Sequence, residues 1–109
     1  MNEELLAKFE ARSQIMKALS HPARLLIVDE LAKKQRCVNE LTEMIGADMS
    51  TVSRHLAVLK NAGIIQDRRQ GAQVYYSLSI SCVMDFFACA EKVLESRLEK
   101  QLSVIKKQS

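Results

Sequence analysis

Two short helical patterns separated by a tight turn constrain the fold of this chain more than any other feature. In "VNELTEMIGA" the apolar residues recur at helical spacing from Val38 to Ile45, and Gly46 can end that helix. Only "ADM" intervenes before "STVSRHLAVLKNAGI", which repeats the spacing, has Ser50 as its expected N-cap and ends at Gly63. Two helices joined by so few residues predict a helix-turn-helix.

The segment that follows has the pattern of a β-hairpin. In "IIQDRRQGAQVYYSL", β-branched and aromatic residues lie on both sides of "RRQGAQ", and Gly71 is expected at the tip. A helix-turn-helix followed by a basic hairpin is the winged helix-turn-helix arrangement. In that arrangement the second helix of the pair enters the major groove of DNA.

Helices are also predicted on both sides of this unit. A loose apolar stripe over residues 3–19 predicts the first helix, and "SHPARLLIVDEL" predicts the second, with Ser20 as the expected N-cap and Pro22 in the first turn. The residues expected to be buried in this second helix are Leu25, Leu26, Val28 and Leu31.

A last helix is expected over about residues 82–105, capped by Ser79 or Ser81. We therefore predict a mainly α fold of about five helices with a two-stranded wing. Since 109 residues fit one domain, residues 1–109 are assigned to a single winged helix-turn-helix domain with terminal dimerisation helices.

The distribution of charge favours nucleic acid as the partner. The net charge of +3 is small, but residues 54–69 contain four basic residues and one histidine against Asp67 alone. With the apolar stripe of the second helix facing inward, short hydroxyls and an arginine face outward. An arginine can pair with guanine, which contributes about 1–3 kcal/mol of discrimination against the other bases. These outward residues are Ser50, Thr51, Ser53, Arg54 and His55. Lys60 is expected at the DNA backbone, and Arg68 and Arg69 at phosphates or in the minor groove.

Three blocks of this sequence resemble the ArsR/SmtB family of bacterial repressors. They are "LSHPARLLIVDEL", "STVSRHLAVLKNAGII" and "RRQGAQVYYSL", in the order that the family has them. The resemblance implies a homodimer built on the first and last helices, a partly palindromic operator in double-stranded DNA, and release by an inducer, often a metal ion or metalloid. It also implies that Gln73 belongs to the DNA-binding wing. Met49 stands where many relatives have a glutamine that can read adenine.

Other classes of protein find little support. We see no glycine-rich phosphate loop, catalytic triad or hydride-cofactor fingerprint, so an enzyme is not expected. No apolar run approaches the ~20 residues of a membrane helix, and the N-terminus has no apolar signal core, which indicates a cytoplasmic protein without a membrane partner. A winged helix that binds protein instead of DNA is the other alternative, although it would not need a basic wing.

The three cysteines, Cys37, Cys82 and Cys89, are the candidate sensor residues. The two-helix zinc site of some relatives needs histidines on the last helix, and neither His21 nor His55 lies there. Cys37 aligns with the first cysteine of the "ELCVCDLC" box of arsenite-sensing relatives. That box is incomplete here and cannot form a site by itself, because asparagine and threonine replace its later cysteines.

Cys82 and Cys89 are seven residues apart, which on a helix separates them by about 10 Å. That distance excludes a disulfide between them, and they can share an ion only if Cys82 precedes the helix proper. Otherwise each needs a partner in Cys37 or in the other subunit. Three thiols suit arsenic(III), antimony(III), cadmium or lead as inducer, with no cofactor required for DNA binding. The alternatives are a thiol-redox or reactive-sulfur switch between Cys37 and a last-helix cysteine, and cysteines that only pack.

Overall fold

The computed structural model describes residues 1–108, and within them the chain forms five helices and three strands. Their order is α1 Glu3–Leu19, α2 Pro22–Lys33, β1 Arg36–Cys37, α3 Val38–Ile45, α4 Met49–Asn61, β2 Ile65–Gln70, β3 Gln73–Leu78 and α5 Val83–Gln108. The expected mainly α winged helix-turn-helix is confirmed. The strand β1 is an addition that the sequence pattern did not predict.

The N-cap of the reading helix α4 lies two residues before the expected one. Asp48 is the N-cap, and its carboxylate accepts the Thr51 N–H at 2.7 Å, so the expectation of Ser50 was wrong. Ser50 lies inside the helix and donates its hydroxyl to the same carboxylate at 3.0 Å. A carboxylate is the stronger acceptor, and its charge also complements the positive N-terminal end of the helix dipole.

The cap of α2 also differs from the expectation. His21 is the N-cap, and its Nδ1 accepts the Ala23 N–H at 3.0 Å, whereas Ser20 ends α1. The physical reason is Pro22, which occupies the first helical position and leaves the residue before it as the cap.

The sheet is antiparallel, with β3 between β1 and β2. The hairpin runs in register from the Ile65–Leu78 pair to the Gln70–Gln73 pair, and Gly71 has a positive φ of 64° at the predicted tip. In β1, Arg36 lies opposite Tyr76 and Cys37 opposite Tyr75. A strand of two residues is too short to leave an alternating pattern in a sequence.

The core joins α2, α3, α4 and the first residue of the wing. Its fully buried side chains are Ile27, Val28, Leu41, Val52, Leu56, Leu59, Ile64 and Ile65. The predicted burial of Leu25 and Leu26 is wrong within one protomer, where they are 40% and 37% exposed. They lie on the side of α2 that faces away from this core, in a groove beside Met84, Phe87 and Leu94 of α5.

The terminal helices extend away from the core. Helix α1 buries only Ala18 and Leu19, and α5 contacts the core through Val83, Met84 and Phe87 in its first turns. With 26 residues, α5 is about 39 Å long. The radius of gyration is 17.7 Å, against about 13 Å for a compact chain of this length. The two helices therefore leave apolar surface uncovered, at Leu5, Leu6, Phe9, Ile15, Met16, Phe86, Val93, Leu94, Leu98, Leu102, Val104 and Ile105.

Candidate nucleic-acid interface and the cysteines

The outward face of α4 carries the predicted DNA-reading side chains. Val52, Leu56 and Leu59 are buried on the opposite face. Ser50, Ser53 and Arg54 are exposed, and Thr51 is half-buried beside the cap. Arg54 also contributes to holding the pKa of the Asp48 carboxyl below its usual range, although the main cause is the hydrogen bond from Thr51. The face thus combines an exposed guanidinium with hydroxyls at the N-terminal end of a helix, where anions are favoured.

His55 is placed differently from the other reading residues. It is half-buried on the flank of α4, and its ring centroid lies 4.4 Å from that of His21, with the planes tilted by 46°. Burial lowers the pKa of His55, and the positive charges of His21, Arg24 and Arg54 lower it further. The imidazole therefore lies against α2 at the junction of the two helices.

Lys60 connects the reading helix to the wing. Its Nζ donates to Asp67 Oδ2 in β2 at 2.9 Å, and this bond raises the pKa of Lys60. The sequence predicted a contact between Lys60 and the DNA backbone. In the structure the ammonium is already paired, so such a contact would have to be shared with Asp67.

The wing exposes its basic residues. Arg68 lies opposite Tyr75 in the hairpin and Arg69 opposite Val74, and both side chains are exposed, as is Gln73. Arg69 Nε donates to the Gly71 carbonyl at 3.4 Å, which ties that guanidinium to the tip. Arg68 is the wing cation with no hydrogen bond or ion pair to the rest of the described chain.

Cys37 is buried at the start of α3, where it is both the N-cap and the last residue of β1. Its thiol and its backbone N–H donate to the same oxygen of Glu40, at 3.3 and 3.4 Å. The thiol bond is the main cause that lowers the pKa of Glu40. Arg36 forms ion pairs with Glu40, at 3.3 Å, and with Glu30 of α2, at 2.9 Å.

This geometry explains a cysteine at a capping position. Serine and threonine cap helices by accepting a backbone N–H, a role for which a thiol is poor. Here Glu40 accepts the backbone N–H of Cys37, as the third residue of a capping box does, and the thiol donates a second hydrogen bond to the same carboxylate oxygen. The Glu40 three residues after Cys37 was the signal that sequence reasoning missed.

Cys82 and Cys89 are free and exposed. Cys82 directly precedes α5, which meets the condition for sharing an ion with a cysteine of that helix. Cys89 lies on the second turn, on the same face as Phe86 and Val93. Across residues 1–108 of one protomer, however, no three cysteine, histidine, aspartate or glutamate side chains come together as a metal site.

None of the helices in the part of the chain that the structure describes is both long enough and apolar enough to span a bilayer.

Sequence comparison identifies relatives of the chain. The family model described as "Bacterial regulatory protein, arsR family" matches residues 21–67, from the cap of α2 to Asp67 in the wing. The Mycobacterium tuberculosis H37Rv protein named as an uncharacterized HTH-type transcriptional regulator, Rv0081, is 35% identical over 96% of this chain and 91% of its own length. The "Biofilm growth-associated repressor" of Xylella fastidiosa (strain Temecula1) is 35% identical over 71% of this chain and 68% of its own.

Solved structures agree with these relatives. The crystal structure of M. tuberculosis Rv0081 has a TM-score of 0.77 and 33% identity, over 86% of this chain and 95% of that chain. The solution structure of Mb0332 from Mycobacterium bovis has a TM-score of 0.78 and 30% identity, over 92% of this chain and 93% of that chain. It is described as a homodimeric winged helix-turn-helix DNA-binding domain and a possible ArsR-family regulator. These relatives are regulators, which confirms that the chain is not an enzyme. The family match, the relatives and the shared fold show that this chain belongs to the arsR family of bacterial regulatory proteins.

Proposed function

We propose that the protein is a homodimeric transcriptional repressor that binds operator DNA through α4 and the wing. The observation that carries this proposal is the arrangement of the exposed Ser50, Arg54 and Arg68 on two elements that the Lys60–Asp67 ion pair joins. Side by side, the helix and the wing present their exposed cations to the major groove and to the neighbouring backbone together. The regulator names of the relatives, including a repressor, support the same activity.

The uncovered apolar residues of α1 and α5 support the homodimer, since large exposed apolar surfaces mark interaction sites. The description of Mb0332 as homodimeric supports it too. A two-fold dimer presents two reading helices to half-sites about one helical turn apart, which predicts a partly palindromic operator. Such a repressor acts on the chromosome, so we assign it to the bacterial cytoplasm.

The test is fluorescence anisotropy with reduced protein and a labelled duplex from upstream of its own gene. We expect binding that weakens steeply between 50 and 200 mM salt, because basic side chains displace counterions from phosphates. A duplex of scrambled sequence serves as the control for specific binding. If no duplex binds at low salt, the protein-binding alternative replaces the repressor.

We further propose that the inducer is a soft metal or metalloid, such as As(III) or Sb(III), or Cd or Pb, bound by Cys37, Cys82 and Cys89. The position of Cys82 before α5, and the exposure of Cys82 and Cys89, support this proposal. Since one protomer does not hold the three thiols together, we propose that the site forms between protomers. Movement of α5 on binding would change the spacing of the two reading helices.

A thiol-redox switch is the second candidate, favoured by two exposed thiols in a chain without a preformed metal cluster in residues 1–108. In this case Cys37 and either Cys82 or Cys89 lose two electrons and two protons to a peroxide or a polysulfide and form a disulfide. Arsenite, antimonite, cadmium, lead and hydrogen peroxide are titrated separately into the reduced protein–DNA complex. Release by a soft ion under reducing conditions supports the metal site, and release by the oxidant alone supports the switch. Release by none would mean that the cysteines only pack.

A further inference from the structure

We infer that the junction of α2 and α4 is a phosphate-binding site, beside the reading face and apart from the wing, which takes a backbone phosphate of bound DNA. The side chains that form it are His21, Arg24 and His55, and Arg54 of the reading face adds its positive charge beside them. The DNA part of this inference rests on the proposed repressor function. The site itself is defined by side chains, whose capacity for free phosphate can be measured without DNA.

The histidine pair sets the geometry of the site. His21 Nδ1 accepts the Ala23 N–H at 3.0 Å, so the nitrogen left to carry a proton is Nε2. The ring of His55 lies 4.4 Å away, centroid to centroid. His21 is exposed and His55 half-buried, so the pair opens to solvent beside the reading helix.

The charges around this pair have one sign. The neighbouring charges that lower the pKa of His55 are all positive and belong to His21, Arg24 and Arg54. Lys17 and Arg24 also line the groove between α1, α2 and α4, which has no acidic residue in its wall. The carboxylate that interacts with Arg54 is Asp48, and its oxygens already accept from Thr51 and Ser50.

Arg24 points most directly to a missing anion. Its Nε is buried and has no hydrogen-bond partner, and Arg24 forms no ion pair with any carboxylate in residues 1–108. A buried donor without an acceptor is costly, and guanidinium groups match the geometry of phosphate oxygens. A phosphate at this junction would give Arg24 an acceptor and would offset the repulsion between the four groups.

A transition metal does not fit the same residues. The Nδ1 of His21 is occupied by the helix cap, and neither histidine belongs to a three-ligand group in the described part of the chain. The location favours DNA as the source of the phosphate, because His55 and Arg54 belong to the helix whose outward face reads the groove. Backbone phosphates flank that groove on both sides.

A proton linkage follows from this arrangement. In the free protein, burial and positive neighbours lower the pKa of His55, whereas a bound phosphate favours the protonated form of that imidazole. DNA binding would then take up protons, so affinity should rise as the pH falls from 8 to 6. For one fully linked proton the limit is about tenfold per pH unit.

The experiment compares DNA affinity, salt slope and pH dependence in four proteins. R24Q should weaken binding roughly threefold to tenfold at 100 mM salt and make the salt slope shallower by about one. H55Q removes the imidazole whose pKa is lowered and should lose most of the pH dependence. K92Q, which removes one charge from exposed α5, is the matched control and should behave as the wild-type protein does. A wild-type salt slope in R24Q, or an unchanged pH dependence in H55Q, would overturn the inference.

A second measurement separates this inference from the proposed function. The imidazole NMR signals of His21 and His55 are followed during titration with inorganic phosphate, with chloride at equal ionic strength as the control. Shifts that saturate with phosphate and vanish in R24Q support the site even if no duplex binds. Equal effects of phosphate and chloride would overturn it. Circular dichroism melting of each variant identifies any that fails to fold.

Discussion

Lys60 near the end of α4 and Asp67 in β2 form an ion pair of 2.9 Å, so the reading helix and the wing are connected by side chains as well as by the short turn between them. The lysine is 50% exposed and the aspartate 32%, so water still reaches the pair. Such exposed pairs contribute little to folding. Their effect on the position and charge of a DNA-binding surface is more direct.

Replacing Asp67 with asparagine should therefore strengthen DNA binding while the melting temperature changes little. Lys60 loses the partner that raises its pKa but remains charged at neutral pH, and it becomes available to a phosphate. We expect roughly threefold to tenfold tighter binding and a salt slope steeper by about one. Glu10→Gln in α1 is the control for the change in net charge. Weaker binding in D67N would mean that the ion pair orients the wing productively.

Arg54 and Arg68 should differ in what they contribute to recognition. Arg54→Gln should remove about 1–3 kcal/mol of discrimination at one base pair, because an arginine on the reading helix can pair with guanine. Arg68→Gln should weaken binding to all DNA sequences by a similar factor, because a wing cation contacts phosphates. Affinities for a set of operator duplexes with single substitutions would distinguish these effects. If the two variants showed the same pattern of affinities across these duplexes, the assignment of Arg54 to a base and of Arg68 to phosphates would be wrong.

Cys37 should contribute to stability as well as to induction. Cys37→Ala removes the donor to Glu40 and should destabilise the fold by about 1 kcal/mol, the usual magnitude for a helix cap. Cys37→Ser retains a donor and should stay close to the wild type in urea denaturation. Both variants should lose the response to the inducer. A Cys37→Ser variant that responds normally would exclude this thiol from the sensor.

The stability of the free protein should fall between pH 7.5 and pH 5. Burial and positive neighbours lower the pKa of His55 from its usual 6.5 in the folded state. A histidine whose pKa is lower in the folded state stabilises the fold at pH values above its pKa in the unfolded state. That stability is lost as the pH falls through its pKa in the folded state. Urea midpoints measured across this range should decline less in His55→Gln. An equal decline in both proteins would place the titrating group elsewhere.

Leu98 of α5 provides a test of the dimer. It is 57% exposed and absent from the core, so Leu98→Glu should leave the winged helix folded while it disrupts association of the apolar face. Sedimentation should then report a monomer, and operator affinity should fall at least tenfold, because one half-site is lost. Glu95→Gln, also exposed on α5, is the matched control. A dimeric L98E protein would place the interface on other residues.

The sequence predicted the elements of the fold better than their ends. Apolar spacing located α3 and α4, since Leu41, Val52 and Leu56 must face one core. Gly46 ends α3 as expected, but the N-caps of α2 and α4 were assigned wrongly because several polar residues stand side by side. Asp48 prevails over Ser50 as the stronger acceptor, and Pro22 shifts the cap of α2 to His21.

The site was predictable where a residue acts alone and not where it acts through a partner. Arg54 and Arg68 are exposed, as the pattern of their neighbours implied. The contact of His55 with His21 joins residues that are 34 positions apart, and the Lys60–Asp67 pair needs the turn between helix and strand to bring them together. Such contacts depend on tertiary geometry, which periodicity does not encode.

The uncovered apolar face of α1 and α5 links the lifetime of each chain to its copy number. A homodimer is stabilised by mass action, so newly made chains gain protection only as partners accumulate. Until then their exposed leucines and phenylalanines are open to proteases and chaperones. A cell that makes too few copies would therefore lose them to degradation before they pair, and the onset of repression would be sharper than operator affinity alone implies.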